Sequence, residues 1–442
     1  MKSPDFSERI QALRKEYDLT QYELGKQLGV SNRAVSKWEN GISNPQIEII
    51  YKMCKMYGKD LDYFFEDSSE NASDNAKIIK TMPTIRELYK IGRGPSSSHT
   101  MGPEKAAMIF SAENPDIDKV VITLYGSLSK TGKGHHTDKA VLSPFDKINA
   151  EIIWNNDETD LPHENTLDFA GYKNGNEVAC MRAMSIGGGD IKIEGKEFTE
   201  MPDIYPENTF TDIAAFCKKY NLRLSDYVFM YEPEIKNHLY EVWYAMKDCI
   251  EKGLETSGIL EGGLGVERKA QFLYNQRHID ESEVTRENRT VCAYAFAVGE
   301  QNASAGTVVT APTCGACSVM PAALKYMQEK KRFSDEDILR SLAVGGLIGN
   351  IVKTNASVSG AECGCQAEIG TACSMTAAAL GELFEMGIDQ IEYAAEVAFE
   401  HHLGLTCDPI CGLVQIPCIE RNAVANACHQ RRKSREFPFG VA

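Results

Sequence analysis

Leu19-Thr20-Gln21-Tyr22-Glu23-Leu24-Gly25-Lys26-Gln27-Leu28-Gly29-Val30-Ser31-Asn32-Arg33-Ala34-Val35-Ser36-Lys37-Trp38-Glu39-Asn40-Gly41 decides the fold at the start of this chain. Thr20 followed three residues later by Glu23 is a capping box, in which side chain and backbone satisfy each other's free donors at a helix start. Leu24 and Leu28 then recur at helical spacing, and Gly29 supplies the left-handed residue that ends a helix. Ser31 or Asn32 caps the next helix, which carries Val35 and Trp38 and ends at Asn40-Gly41. Upstream, Ile10, Leu13 and Tyr17 mark an earlier helix that Asp18-Leu19 stops. Two short helices joined by a glycine-containing turn make a helix-turn-helix.

Residue for residue, this segment and Pro45 beyond it resemble the DNA-binding domains of the phage-repressor/Cro type. The resemblance implies that residues 1–65 form a separate helical domain able to take duplex DNA. The contact residues it implies are Gln21, Ser31, Asn32, Arg33, Ser36 and Lys37, at or near the start of the third helix. Charge agrees with a local role. Residues 1–65 hold ten Lys/Arg against nine Asp/Glu, a net of +1, whereas the whole chain carries −16. The remaining −17 repels phosphate, so any nucleic acid must be held by the N-terminal segment.

Outward from that segment, residues 66–82 are polar, acidic and poor in core residues, and read as a linker. Residues 83–205 mix strand candidates, such as Val120–Tyr125, with glycine-rich turns. Residues 206–442 are dominated by helical patterns. The expected fold is therefore multi-domain: an all-α helix-turn-helix domain, an α+β domain and a mainly helical domain. The apolar run Ala343–Val352 is too short and too broken by Gly and Asn to span a bilayer, which needs about 20 residues. The N-terminus lacks the apolar core of a signal peptide, so the expected location is the cytoplasm.

Of 14 cysteines, nine lie between Cys314 and Cys428. In a reducing compartment such clustering points to metal ligation or catalysis rather than disulfides. Cys314-x2-Cys317 and Cys407-x3-Cys411 have the spacing of zinc half-sites, while an iron–sulfur cluster is the other thiolate-rich choice. Spacing leaves both open. Four other stretches carry polar chemistry. Gly94-Pro95-Ser96-Ser97-Ser98-His99-Thr100 masses hydroxyl and backbone donors suited to a carboxylate, beside a histidine that exchanges a proton near neutrality. Gly126 to Lys139 fails the phosphate-loop order, because Gly134 rather than Ser or Thr follows Lys133, which leaves His135, Thr137 and Asp138 as a polar constellation. His163-Glu164-Asn165 is a third. In Ser185-Ile186-Gly187-Gly188-Gly189 three consecutive glycines imply close backbone approach.

Together with Ala311-Pro312-Thr313, Asn355-Ala356-Ser357, Gly364-Cys365-Gln366, Leu405-Thr406-Cys407-Asp408-Pro409 and Ile416-Pro417-Cys418-Ile419-Glu420-Arg421-Asn422, these stretches resemble the iron–sulfur-dependent bacterial L-serine dehydratases, in the family's order, over residues 83–425. The resemblance implies a β-type domain over 83–205 and an α-type domain over 206–442. It implies a [4Fe-4S] cluster on Cys365, Cys407 and Cys418, with one iron open as a Lewis acid for β-elimination of water from L-serine to pyruvate and ammonia. The base it implies is His99, His163 or His135, in that order. Ser96, Ser97, Ser98, Thr100, Thr137, Asp138, Asn165, Gly187, Gly188, Thr313, Asn355 and Ser357 are the implied substrate contacts, and a homodimer is the implied assembly.

Three departures stand out. A helix-turn-helix is fused in front. Cys314 and Cys317 replace small or uncharged residues. After Ala423 the family pattern gives way to a basic stretch without apolar period, from which a truncated end and a loosely held cluster are expected. The fused domain and the missing end raise a second function, a serine-responsive transcription regulator with a vestigial dehydratase fold.

Overall fold

A computed structural model of the chain describes residues 6–65, 81–196, 203–358, 360–403 and 409–433. It divides into two compact units, Met1–Lys80 with Thr211–Ile235, and Thr81–Phe210 with Lys236–Ala442.

In the first unit, α1 (Phe6–Glu16), α2 (Gln21–Leu28), α3 (Asn32–Glu39), α4 (Ile47–Tyr57) and α5 (Asp62–Phe65) follow one another. The capping box of Thr20 and Glu23 is present, Gly29 is left-handed (φ 79°), and Ser31 rather than Asn32 caps α3. Gly25 is needed where the turn crosses α2, since a Cβ there would lie 2.9 Å from the Val30 carbonyl oxygen. Ile10, Leu13, Leu24, Leu28, Val35, Trp38, Ile50 and Met53 close the core. Each such side chain stabilises by roughly 1.5–3 kcal/mol when fully buried. Tyr17, expected on the first helix, lies beyond its end and is exposed. Arg14 reaches Glu39 from α1, with its Nε 2.5 Å and its Nη2 3.0 Å from the two carboxylate oxygens, and Gln21 donates to Glu39 at 2.8 Å.

In the second unit, Met82–Pro83 (β1) already pairs with Asp203–Tyr205, so strand structure begins inside the stretch read as linker; residues 66–80 lie outside the described residues. β2 (Ile91–Arg93) leads through a π-helical turn, Ser97–Met101, into α6 (Gly102–Glu113). β3 (Lys119–Tyr125) alternates buried and half-buried residues and sits inside a five-stranded sheet with β4 (Asn149–Asn155), β5 (Thr166–Lys173), β6 (Asn176–Gly187) and β7 (Asp190–Ile193). The order is β4-β3-β5-β6-β7, with β3 and β4 parallel and the other neighbours antiparallel. Phe110 of α6 packs with Val120, Ile122, Leu124, Leu167 and Phe169 on one face.

β3 runs directly into α7 (Gly126–Thr131), and α8 (Thr137–Leu142) follows. At that junction Gly126 has φ 49°, and a Cβ would meet the Glu164 carbonyl oxygen at 2.4 Å, so only glycine fits.

The helical part joins the sheet part through β2, which pairs antiparallel with β9; here the remaining strands are β8 (Asp203–Tyr205) and β9 (Thr307–Val309). α9 (Phe210–Tyr220, from Thr211 on) and α10 (Leu224–Tyr231) belong to the first unit, and the remaining helices of the second are α11 (Ile235–Glu255), α12 (Ala270–Asn275), α13 (Glu283–Ala303), α14 (Val319–Lys331), α15 (Asp335–Asn355), α16 (Gly360–Leu383), α17 (Ile388–Glu400) and α18 (Cys418–Lys433). The run Ala343–Val352 is the buried middle of α15, where Gly345 and Gly346 leave room for the Tyr89 ring. No helix among the described residues is long and apolar enough to cross a membrane. The helix carrying Ala423 continues to Lys433 rather than breaking there.

Candidate active site

The sheet part and the helical part of the second unit enclose a cavity of about 290 Å³. From the sheet part come Ser96, Ser97, Ser98, His99, Ser127, Thr131, His135, Gly187 and Gly188. From the helical part come Thr313, Gly315, Cys365, Glu368, Arg421 and Asn422, with Pro409 and Val414 alongside Cys418.

Local chemistry fixes the sheet side. Ser96 caps the π-helical turn, its Oγ accepting the His99 backbone N–H at 3.1 Å. That turn aims His99 inward, where it is 9% exposed. Both ring nitrogens are engaged: Nδ1 lies 2.9 Å from Ser98 Oγ and Nε2 2.9 Å from Ser127 Oγ. His135 stacks on the ring at 4.6 Å, with its Nδ1 3.0 Å from the Thr131 carbonyl.

Two buried threonines lock this pair. Thr100 donates to the His135 carbonyl at 2.7 Å, and Thr137 donates to the His99 carbonyl at 2.6 Å. Each loop thus holds the other's histidine. Burial, with the neighbouring His135 adding to it, pushes the His99 imidazole down to about 3. Burial also lowers His135, opposed by its bond to the Thr131 carbonyl and assisted by His136. Both rings are therefore neutral near pH 7, the state a proton acceptor requires.

At the rim, Gly187, Gly188 and Gly189 all have positive φ (102°, 57° and 83°), which lets β6 turn tightly into β7 against the cavity. On the helical side, α16 is interrupted at Gly364 (φ 74°), directly before Cys365, and α18 opens with Cys418. The two thiol groups share one cavity, a soft donor set that fits an iron–sulfur group. Cys407 lies outside the described residues. Among the described residues no three His, Cys, Asp or Glu side chains gather into a metal site. Cys314 and Cys317 are buried off the cavity wall, and burial pushes both thiols up.

Other sequence-derived residues stand off the wall. Thr100 and Thr137 brace it from behind. His163 is half-buried in a turn, where its Nδ1 accepts the Asn165 backbone N–H at 3.0 Å. Asn165 is buried, with Nδ2 3.4 Å from the Ser185 carbonyl. Asp138 is half-buried at the start of α8. Asn355 is exposed at the end of α15, donating to the Asn208 and Ile351 carbonyls, and Ser357 is half-buried beyond it. Residues given no role from sequence join the wall: Ser127, Thr131, Arg421 and Asn422, which lie in the motif stretches, and Glu368, which lies outside them. Helical spacing held part of the signal, since Glu368 is three residues after Cys365 and Asn422 four after Cys418, so each pair shares a helix face.

In the first unit, Ser31, Asn32, Arg33 and Lys37 are exposed along α3 and Ser36 is half-buried. Gln21 is half-buried and held by Glu39.

Comparison with known proteins bears on both units. The family model described as Serine dehydratase alpha chain matches residues 69–428, and a helix-turn-helix model matches residues 10–64. L-serine dehydratase 2 of Escherichia coli K12 is 38% identical over 400 residues, covering 78% of this chain and 88% of that protein. The L-serine dehydratase of Streptomyces coelicolor is 38% identical over 397 residues, 77% and 87% of the two chains. That of Helicobacter pylori 26695 is 35% identical over 401 residues, again 77% and 87%.

Proposed function

This chain belongs to the serine dehydratase alpha chain family, and from that premise we propose that it eliminates water from L-serine, the aminoacrylate product hydrolysing to pyruvate and ammonia. The observation that carries the reading is the single cavity in which a neutral, doubly hydrogen-bonded His99 faces the thiol-bearing residues Cys365 and Cys418.

Each residue has a role in that reaction. The hydroxyls of Ser96, Ser97 and Ser98, at the head of the π-helical turn, bind the substrate carboxylate. His99 accepts the α-proton, held in orientation by Ser98 and Ser127, and the adjacent carboxylate favours the imidazolium that forms. His135 stacks against it and excludes water from its face. Gly187 and Gly188 let the backbone close on the substrate. A [4Fe-4S] cluster on Cys365, Cys407 and Cys418 would supply Lewis acidity to the departing hydroxyl. The cytoplasm, where thiols stay reduced, suits this donor set.

Anaerobic reconstitution with iron and sulfide tests the proposal: pyruvate should form from L-serine and stop forming in His99→Asn. A reconstituted protein that binds iron yet releases no pyruvate overturns it. A regulator with a vestigial dehydratase fold is not favoured, because the similarity to L-serine dehydratases runs over most of the chain.

We also infer that α3 contacts duplex DNA through Asn32, Arg33 and Lys37, in a dimer that presents two such helices. Its test is a salt titration of DNA affinity: loss of Arg33 and Lys37 should flatten the slope of log K against log salt.

A further inference from the structure

The two walls of the cavity are joined by the short ladder of β2 and β9, in which Ile91 lies opposite Val309 and Arg93 opposite Thr307. β2 leads into Pro95 and the serine turn on the sheet side, and β9 leads toward Thr313 and Gly315 on the helical side. Because the strands are antiparallel, the chain leaves them for the two walls from opposite ends of the ladder. The ladder alone therefore does not set how far apart the walls stand.

Asn302, in the last turn of α13 and 3% exposed, ties them directly. Its Nδ2 lies 3.3 Å from the Pro95 carbonyl oxygen and 3.1 Å from that of Cys314. Carbonyls only accept, so the amide nitrogen must face them. Its Oδ1 is buried without a hydrogen-bond partner among the described residues, so the side chain is held by its donors alone. Gly94 makes room for it, since a Cβ there would lie 2.3 Å from Oδ1 and 2.5 Å from the Asn302 carbonyl oxygen. The tie continues into α18. Asn422 Nδ2 donates to the carbonyls of Gly315 and Cys418, each at 2.9 Å. Pro95, Asn302, the turn Cys314–Ala316, Asn422 and Cys418 thus form one hydrogen-bonded relay from the serine turn to the helix that opens with Cys418.

We infer that Asn302 is a positioning residue that sets the spacing between the proton-accepting wall, with Ser96 to His99, and the thiol-bearing wall. It stands behind the lining residues and acts through Pro95 and Cys314. Elimination requires the α-proton and the β-hydroxyl of one substrate to meet groups on opposite walls at once. A misplacement of about 1 Å costs on the order of a hundredfold in rate. The inference rests on the dehydratase reading of the cavity.

Three variants test it on the full-length chain reconstituted anaerobically with iron and sulfide. Asn302→Asp keeps the shape and puts an acceptor where the donor was; Asn302→Ala removes the tie without adding charge. Asn350→Asp is the control, because Asn350 makes the same kind of tie away from the cavity. It is fully buried, its Nδ2 donates to the Pro83 carbonyl at 2.6 Å, and its Oδ1 has no partner among the described residues. Iron content, kcat and KM for L-serine are measured. Both Asn302 variants should retain iron and lose about tenfold or more in kcat per iron bound, with KM within about threefold of native. Asn350→Asp should keep the native kcat per iron bound. A kcat in Asn302→Ala within about twofold of native, or a KM that rises as far as kcat falls, overturns the role. An equal fall in Asn350→Asp, or loss of iron from both Asn302 variants, overturns it as well, because the residue would then support the fold and not the spacing. Native turnover with unaffected variants overturns this role alone, whereas a native chain that makes no pyruvate overturns the dehydratase reading and this role with it.

Discussion

Replacing Thr137 by Val keeps the shape of a fully buried side chain and removes one hydroxyl. The His99 carbonyl then loses the donor it now has at 2.6 Å. A buried carbonyl deprived of its donor costs about 1–3 kcal/mol. The extra buried methyl offsets at most about 1 kcal/mol of this. The net expectation is a loss of about 1–2 kcal/mol, against a typical folding stability of about 5–15 kcal/mol. The same change frees the His99 backbone, so Nε2 no longer holds its place against Ser127. Urea unfolding of the second unit should therefore shift to lower midpoint with unchanged slope, and kcat for L-serine should fall more than KM changes. Thr100→Val removes the reciprocal bond to His135, at 2.7 Å. Because the two bonds close one loop-to-loop bracket, the double variant should deviate from additivity by at least about 0.5 kcal/mol. Stability within about 0.5 kcal/mol of the native chain, together with unchanged kcat in Thr137→Val, would refute the bracing argument.

The Glu39 carboxylate gives a pH prediction. Burial raises it, but hydrogen bonds from Arg14 and Gln21 and the Arg14 charge outweigh that and hold it below its usual 4.5. A lowered folded value means that its stabilisation is complete above 4.5 and is lost as pH falls through the folded value. Hydrogen exchange of α1–α4 in the full chain should show protection falling in that acidic window, and Glu39→Gln should remove the dependence and cost about 2 kcal/mol at neutral pH. Gly253→Ala puts a methyl 2.4 Å from the Ala297 carbonyl oxygen, where α11 crosses α13; backbone cannot yield cheaply there, so calorimetry should find a loss of about 1–3 kcal/mol. Cys365→Ala and Cys418→Ala should abolish iron retention after reconstitution. Cys314→Ala should retain it, because that thiol is buried off the cavity wall and burial favours its protonated form; equal iron loss in all three would contradict the assignment of ligands.

The helix-turn-helix was legible from sequence because its signals are short-range. Thr20 with Glu23, Gly29 and Ser31 act within four residues, and the hydrophobic period of Leu24, Leu28, Val35 and Trp38 assigns the buried face without knowledge of anything distant. β3 was legible for the same reason, as an apolar run bounded by turn residues. The order β4-β3-β5-β6-β7 was not, since it depends on pairings between segments far apart in the chain.

The candidate site divides along the same line. Ser96, Ser98, His99, Gly187 and Gly188 were named through the family resemblance, because a hydroxyl-rich or glycine-rich turn taken singly serves equally well as an ordinary surface loop. Which histidine faces which hydroxyl was decided by folding: Ser127 meets His99 across 28 residues, and Asn422 meets Gly315 across 107. Asn355 and Ser357 show the converse. A motif gives adjacency along the chain, but the last turn of α15 directs Asn355 toward Asn208 and away from the cavity. Residue type and local spacing determine which chemistry a segment can offer. Only the closure of distant loops, which orients side chains and strips them of water, decides which of those groups share a cavity, which remain unpartnered there, and how far burial shifts their protonation.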